Sequence, residues 1–325
     1  MSTVLTKKDQ KRLMLFAGRS HPALANEVAS ILDVDLVPMR AVTYANSEIY
    51  VRFEESVRGS DAFVIQSHHA PVNEWMMEQL IMVDALKRAS AKRITVVSPF
   101  YPYARQDKKH AGREPISARL MADLYAAAGA TRIMSVDLHA AQIQGFFNGP
   151  VDHLLAMPLL SEYVAQKYGG EDLVVVSPDA GRVRMADQWT DRLGCTLAII
   201  HKRRDPNVAN TVAVHEVVGE VEGRVCLLVD DMIDTAGTIC LAADALMARG
   251  AKAVIAAATH AVLSGPAADR LNRSAFKEVI VTNTLPIDPA VDIECLTVLS
   301  IAPLIAKAIK EVFTEGSVTS LMNEG

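Results

Sequence analysis

The stretch Val225–Thr238, VCLLVDDMIDTAGT, decides how the rest of this chain is read. Val225 to Val229 are a continuous apolar run of the kind that suits a parallel strand buried on both faces, and from Ile239 to Arg249 apolar residues return at helical spacing. The pattern predicts strand, turn and helix, with Asp230 and Asp231 where the strand leaves the sheet and Asp234, Thr235, Ala236, Gly237 and Thr238 turning the chain into the helix. Small residues in such a turn leave backbone N–H groups aimed outward at the positive end of a helix. A phosphate fits there, with the Thr235 and Thr238 hydroxyls donating to it. Two carboxylates are poor phosphate ligands, so sugar hydroxyls or a phosphate-bound cation are their partners, and a phosphorylated ribose satisfies both halves. The plainer alternative, solvated acids ahead of an ordinary helix cap, accounts for the turn. It leaves two adjacent acids after five apolar residues unexplained.

Outward from this stretch, apolar strand candidates alternate with amphipathic helix candidates along the whole chain, the pattern of an α/β protein with a mostly parallel sheet flanked by helices. Strands are expected at Leu13–Ala17, Ala62–Gln66, Ile94–Ser98, Ile133–Val136, Leu173–Ser177, Thr196–Ile200, Val225–Val229, Val254–Thr259 and Val279–Thr282. Helices are expected at Ala23–Leu32, Asn73–Ala89, Ser117–Ala128, Pro158–Tyr168, Val183–Leu193, Ile239–Arg249 and Pro303–Phe313. The strand exits VVSPF at Val96–Phe100 and VVSPD at Val175–Asp179 hint at a duplicated unit. With 325 residues, half of them hydrophobic, the chain can bury two cores, and we place the domains at 1–152 and 153–325. A net charge of −5 argues against nucleic acid as a partner. Cys195, Cys226, Cys240 and Cys295 have no metal spacing and read as reduced core residues, and no stretch has the apolar length of a membrane span, so a cytoplasmic protein is expected.

Two segments break the alternation. Val42–Arg58 alternates apolar and polar residues around a small turn, a hairpin with Tyr44, Asn46 and Glu48 at its tip. Lys202–Gly223 opens with Lys202, Arg203 and Arg204, cations suited to charge on phosphoryl oxygens, and is an excursion of the length that carries function. Ser98–Pro115, SPFYPYARQDKKHAGREP, is the most basic stretch, with aromatic rings just before Arg105, Gln106 and Asp107; a nucleoside triphosphate fits it. Strand alternation would place Asp137 and His139 on one face, and Asp179 is a second strand-end acid. So sparse a donor set suits Mg2+, which keeps waters and substrate phosphates, rather than zinc. No Walker-type phosphate loop occurs.

With FYPYARQDKKHAGREPISA, SVDLHAAQIQGFF, VVSPDAG, HKRR and LVDDMIDTAGT in this order, the chain resembles the ribose-phosphate diphosphokinase (phosphoribosyl pyrophosphate synthetase) family over nearly its whole length. The resemblance implies two similar phosphoribosyltransferase-like domains and transfer of the β,γ-diphosphate of ATP to the 1-hydroxyl of ribose 5-phosphate. It implies ATP contacts from Arg105, Gln106, Asp107 and His139, and from Tyr44, Asn46 and Glu48 reaching a neighbouring subunit of a homohexamer. His139 and Asp179 match the magnesium positions. Lys202 and Arg204 match the catalytic flexible loop, Arg204 also serving ribose 5-phosphate, whose other contacts are Asp230, Asp231 and Asp234 to Thr238. A phosphoribosyltransferase or a non-catalytic regulatory homologue are the alternatives; neither explains the Arg105–Asp107 loop together with the retained His139, Asp179, Lys202 and Arg204. Three positions depart from the family pattern: Tyr44 and Asn46 stand where Phe and Asp are common, Ala236 where the first of two glycines is common, and Arg182 where another glycine is common. An alanine at 236 predicts an α-compatible backbone there.

Overall fold

The run from Val225 onward is a strand because a parallel sheet covers it on both sides, and every residue from Val225 to Val229 is buried. The structure is a computed structural model describing residues 11–203 and 214–319. The chain divides into two compact units, one running to Leu154 and resuming at Ala302, the other running from Leu155 to Ile301.

The first unit contains β1 (Leu13–Ala17), α1 (Pro22–Leu32), β2 (Met39–Thr43), β3 (Ile49–Phe53), β4 (Asp61–Ile65), α2 (Val72–Arg88), β5 (Arg93–Val97), α3 (Ser117–Ala128), β6 (Arg132–Val136) and β7 (Val151–Leu154). Its sheet runs β1-β4-β5-β6-β7, all parallel, and β2 and β3 form a separate antiparallel hairpin. Side chains of β1, β4, β5 and β6 meet α2 and α3 in one apolar cluster, with Phe16, Met82 and Tyr125 among its fully buried members.

The second unit contains α4 (Met157–Tyr168), β8 (Leu173–Ser177), α5 (Val183–Leu193), β9 (Thr196–Arg203), β10 (Val214–Val218), β11 (Val225–Ile233), α6 (Gly237–Ala248), β12 (Ala253–Ala261), α7 (Ala267–Asn272), β13 (Phe276–Thr282) and β14 (Leu296–Leu299). Its sheet runs β10-β9-β8-β11-β12-β13-β14, and only the β10–β9 pair is antiparallel. The last helix, α8 (Ala302–Thr314), packs against α1 and buries Ile305 and Ile309 in the first unit. Residues from Ala302 on thus belong with the N-terminal half, where the sequence reading had kept 153–325 together. No helix among the described residues is long and apolar enough to cross a membrane.

Candidate active site

In a parallel sheet flanked by helices, ligands gather at the carboxyl ends of the strands, and Arg105–Asp107 after β5, His139 after β6, Asp179 after β8 and Asp230–Thr238 at the end of β11 stand there, while Tyr44, Asn46 and Glu48 lie on the separate hairpin. Strand β11 extends past the predicted end at Val229 to Ile233, so Asp230 and Asp231 lie within the strand and not at its exit. Its pairing with β8 stops at Leu228, whereas its pairing with β12 continues to Ala261. The acids therefore occupy the stretch where β11 has a neighbour on one side only. Beside them stands Arg182: its Nε is 3.1 Å from Asp230 Oδ1 and its Nη2 donates to Asp231 Oδ1 at 2.5 Å. Asp231 is almost fully buried and Asp230 keeps about a quarter of its side-chain surface. Burial, and then the neighbouring Asp231, raise the Asp230 carboxyl above the ordinary range, with Arg182 pulling the other way. The turn that carries Arg182 is itself fixed by Asp179, whose Oδ1 accepts from Gly181 N at 2.8 Å and Arg182 N at 3.1 Å.

After β11 the chain turns through Asp234 to Ala236 into α6, which begins at Gly237. Ala236 has φ 58° and ψ 2°, a left-handed backbone, and this overturns the α-compatible conformation expected of an alanine. The reason lies outside the turn. Ser264 N donates to Asp234 O at 3.0 Å and Arg270 Nη1 donates to Thr235 O at 2.8 Å, so the two carbonyls that lead into Ala236 are held by the segment from Ser264 through α7. Among the described residues no side chain caps α6, so the first amides of the helix can receive an anion, and Thr235 and Thr238 are exposed beside them. Arg270 went unnoticed in the sequence because nothing local marks a cation 35 residues downstream as an anchor for this turn.

In the first unit the basic loop leaves β5 over a buried polar cluster. His68 Nδ1 lies 3.2 Å from Phe100 O and 3.1 Å from Ser98 Oγ, and Tyr125 donates to Gln79 at 2.8 Å. Burial lowers the His68 imidazole to about 4, so it is neutral near pH 7. Arg105 and Gln106 are exposed, Gln106 accepts from Ser117 Oγ at 2.5 Å, and Asp107 is buried with Gln142 donating to it. The hairpin tip is built as expected: Tyr44 N donates to Glu48 O at 2.8 Å, Glu48 N donates to Asn46 Oδ1 at 3.2 Å, and Tyr44 stands half exposed. Its base is tied by Arg19, which donates to Thr43 Oγ1 at 3.0 Å and to buried Glu78 at 2.5 Å, a pair the sequence reading missed.

Strand alternation does not govern Asp137 and His139. Strand β6 ends at Val136, and Asp137 has φ 37°, so the chain turns before His139. His139 follows β6 in the first unit and Asp179 follows β8 in the second. Among the described residues no group of three or more His, Cys, Asp or Glu could hold a metal ion. Strand β9 runs beyond Ile200, and Lys202 pairs with His215 of β10. The side chains of Lys202 and Arg203, and all of Arg204, lie outside what is described.

Two αβ units with mostly parallel sheets, one carrying an acid pair in the last stretch of a strand that leads to an uncapped helix start, define a protein that handles a phosphorylated sugar. Residues 13–129 match the family model of the N-terminal domain of ribose phosphate pyrophosphokinase, and residues 206–323 match the phosphoribosyl synthetase-associated domain. The chain is 66% identical over 315 residues to a ribose-phosphate pyrophosphokinase of Streptomyces coelicolor, and 62% identical over 316 residues to that of Mycobacterium tuberculosis, covering 97% of each chain in both comparisons. A crystal structure of phosphoribosylpyrophosphate synthetase from Mycobacterium smegmatis superimposes with a TM-score of 0.90 at 62% identity, covering 94% of this chain and all of that one. The chain belongs to the ribose-phosphate pyrophosphokinase family and is an enzyme, a transferase of nucleotide biosynthesis.

Proposed function

We propose that this enzyme binds ATP and ribose 5-phosphate and transfers the β,γ-diphosphate of ATP to the 1-hydroxyl of ribose 5-phosphate, giving 5-phosphoribosyl 1-diphosphate and AMP, in the cytoplasm. The observation that carries the reading is the turn Asp234–Thr238: uncapped helix amides with two exposed threonines, next to an acid pair, match a 5-phosphate and sugar hydroxyls together. The amides and the Thr235 and Thr238 hydroxyls hold the phosphate, Ala236 and Gly237 let the backbone approach it, and Asp230, Asp231 and Asp234 accept from the sugar. Arg105, Gln106 and Asp107 bind ATP with His139. The hairpin residues Tyr44, Asn46 and Glu48 do so from a neighbouring subunit of a homohexamer.

By the family resemblance we assign magnesium binding to His139 in the first unit and to Asp179 in the second, and each, as a single protein donor, leaves an ion its waters and phosphate oxygens. When bound, magnesium would supply charge neutralisation on the phosphates. Lys202 and Arg204 act on the charge that spreads over phosphoryl oxygens as the bond to AMP breaks.

Incubating the protein with ATP, magnesium and ribose 5-phosphate should give AMP in step with phosphoribosyl diphosphate. ADP as the sole nucleotide product would refute diphosphoryl transfer.

A further inference from the structure

We infer that Arg182 is a positioning residue for ribose 5-phosphate: its guanidinium spans Asp230 and Asp231 and sets the orientation and net charge with which that pair meets the sugar. The inference rests on the assignment of Asp230–Thr238 to ribose 5-phosphate.

Consecutive residues of a strand point to opposite faces, so two neighbouring acids on β11 do not converge by themselves. Here they are gathered by one side chain, with Nε at 3.1 Å from Asp230 and Nη2 at 2.5 Å from Asp231. The contact is possible because β8 stops pairing with β11 at Leu228, and the turn that follows β8 carries Arg182 to the stretch it leaves uncovered. The position of Arg182 along that turn is fixed in its backbone, since Arg182 N donates to Asp179 Oδ1 at 3.1 Å and to Asp179 O at 3.3 Å. Arg182 and Asp230 keep 21% and 25% of their side-chain surface, against 5% for Asp231. The exposed edge of the trio is therefore the Asp230 side, while Asp231 is held behind it.

Charge gives the arrangement its consequence. Ribose 5-phosphate is an anion, and an unaccompanied pair of carboxylates would present two negative charges to it. The guanidinium offsets one unit of that charge, and the carboxyl oxygens still accept hydrogen bonds from sugar hydroxyls. A planar fork also fixes where the two carboxylates lie, which a point charge does not.

The test is calorimetric binding of ribose 5-phosphate and, separately, of ATP to the intact enzyme and to Arg182→Ala and Arg182→Lys, with thermal midpoints measured alongside. Arg182→Ala should weaken ribose 5-phosphate binding by roughly tenfold or more and leave ATP binding within about twofold. Arg182→Lys should recover part of the loss, since it restores charge without the fork. Ribose 5-phosphate binding that is unchanged or tighter in Arg182→Ala would overturn the inference, and so would an equal loss of both ligands with a lowered midpoint, which marks a purely structural residue. Asp230→Asn and Thr235→Val serve as parallel variants. If neither weakens ribose 5-phosphate, the ribose assignment itself fails and the inference with it; if both do and Arg182→Ala does not, the inference alone fails.

Discussion

Ala236 holds a left-handed backbone, and an L-residue with a Cβ does so at a cost of about 1–2 kcal/mol. Glycine removes that strain but adds freedom to the unfolded chain, an offset of about 0.5–1 kcal/mol. Ala236→Gly should therefore stabilise the protein by about 0.5–1 kcal/mol, read as a higher urea midpoint at unchanged slope; a lower midpoint would show that the turn carries no strain. The sequence identified this residue as the one to watch and chose the wrong backbone for it. Local propensity argues that alanine avoids positive φ, but the two carbonyls preceding it, those of Asp234 and Thr235, are held by Ser264 and Arg270, partners that no local window contains. Asp137 is a similar case: apolar residues up to Val136 show the strand, while its φ of 37° is set by tertiary contacts such as Asp137 N donating to Leu154 O at 2.8 Å.

At the scale of elements, long periodic stretches were legible and short edges were not. Strands β1 and β8 and helices α3 and α5 have the bounds their patterns predict. Strands β7 and β14, four residues each, lie at sheet edges, and α7 has six residues, too few to display a period. Strand β9 outruns its apolar core because ladder pairing with β10 continues through Lys202 and His215, polar residues that a hydrophobic pattern ends on. That placement puts Lys202 on strand β9, next to Arg203 at its end. If Lys202 meets charge that develops only as the phosphoryl group transfers, its removal lowers kcat and kcat/KM together, whereas a plain ATP-binding lysine would raise KM with kcat intact. Lys202→Ala should cut kcat by about 10²-fold with modest change in either KM, and Lys108→Ala in the exposed part of the basic loop should cost far less. A near-normal kcat at saturating ATP would move the catalytic cation to Arg204 or Arg105.

At the scale of the whole molecule, each unit carries its own acid-sensitive group, and neither was legible, because burial of a histidine or glutamate is a tertiary fact. In the first unit His68 has its pKa lowered by burial to about 4 from an unfolded value of 6.5. The unfolded chain thus takes up a proton that the fold refuses, and the stability His68 contributes is present above pH 6.5 and lost as pH falls to about 4. The shift corresponds to about 3 kcal/mol. In the second unit, burial alone would raise the Glu278 carboxyl, but hydrogen bonds from Lys167, Thr297, Tyr168 and Tyr163 bring it down to about 2 from 4.5. That contribution is present above pH 4.5 and lost as pH falls toward 2, and it is smaller than the shift suggests because Lys167 is half exposed and screened by solvent. Acidification should therefore weaken the first unit before the second. His68→Gln should flatten the dependence of stability on pH between about 6.5 and 4 and leave the lower range unchanged, while Glu278→Gln should flatten only the range below about 4.5. Urea midpoints measured across pH for the two variants and the parent check this, and a parent curve that is level between pH 6.5 and 4.5 would show that His68 is protonated within the folded protein.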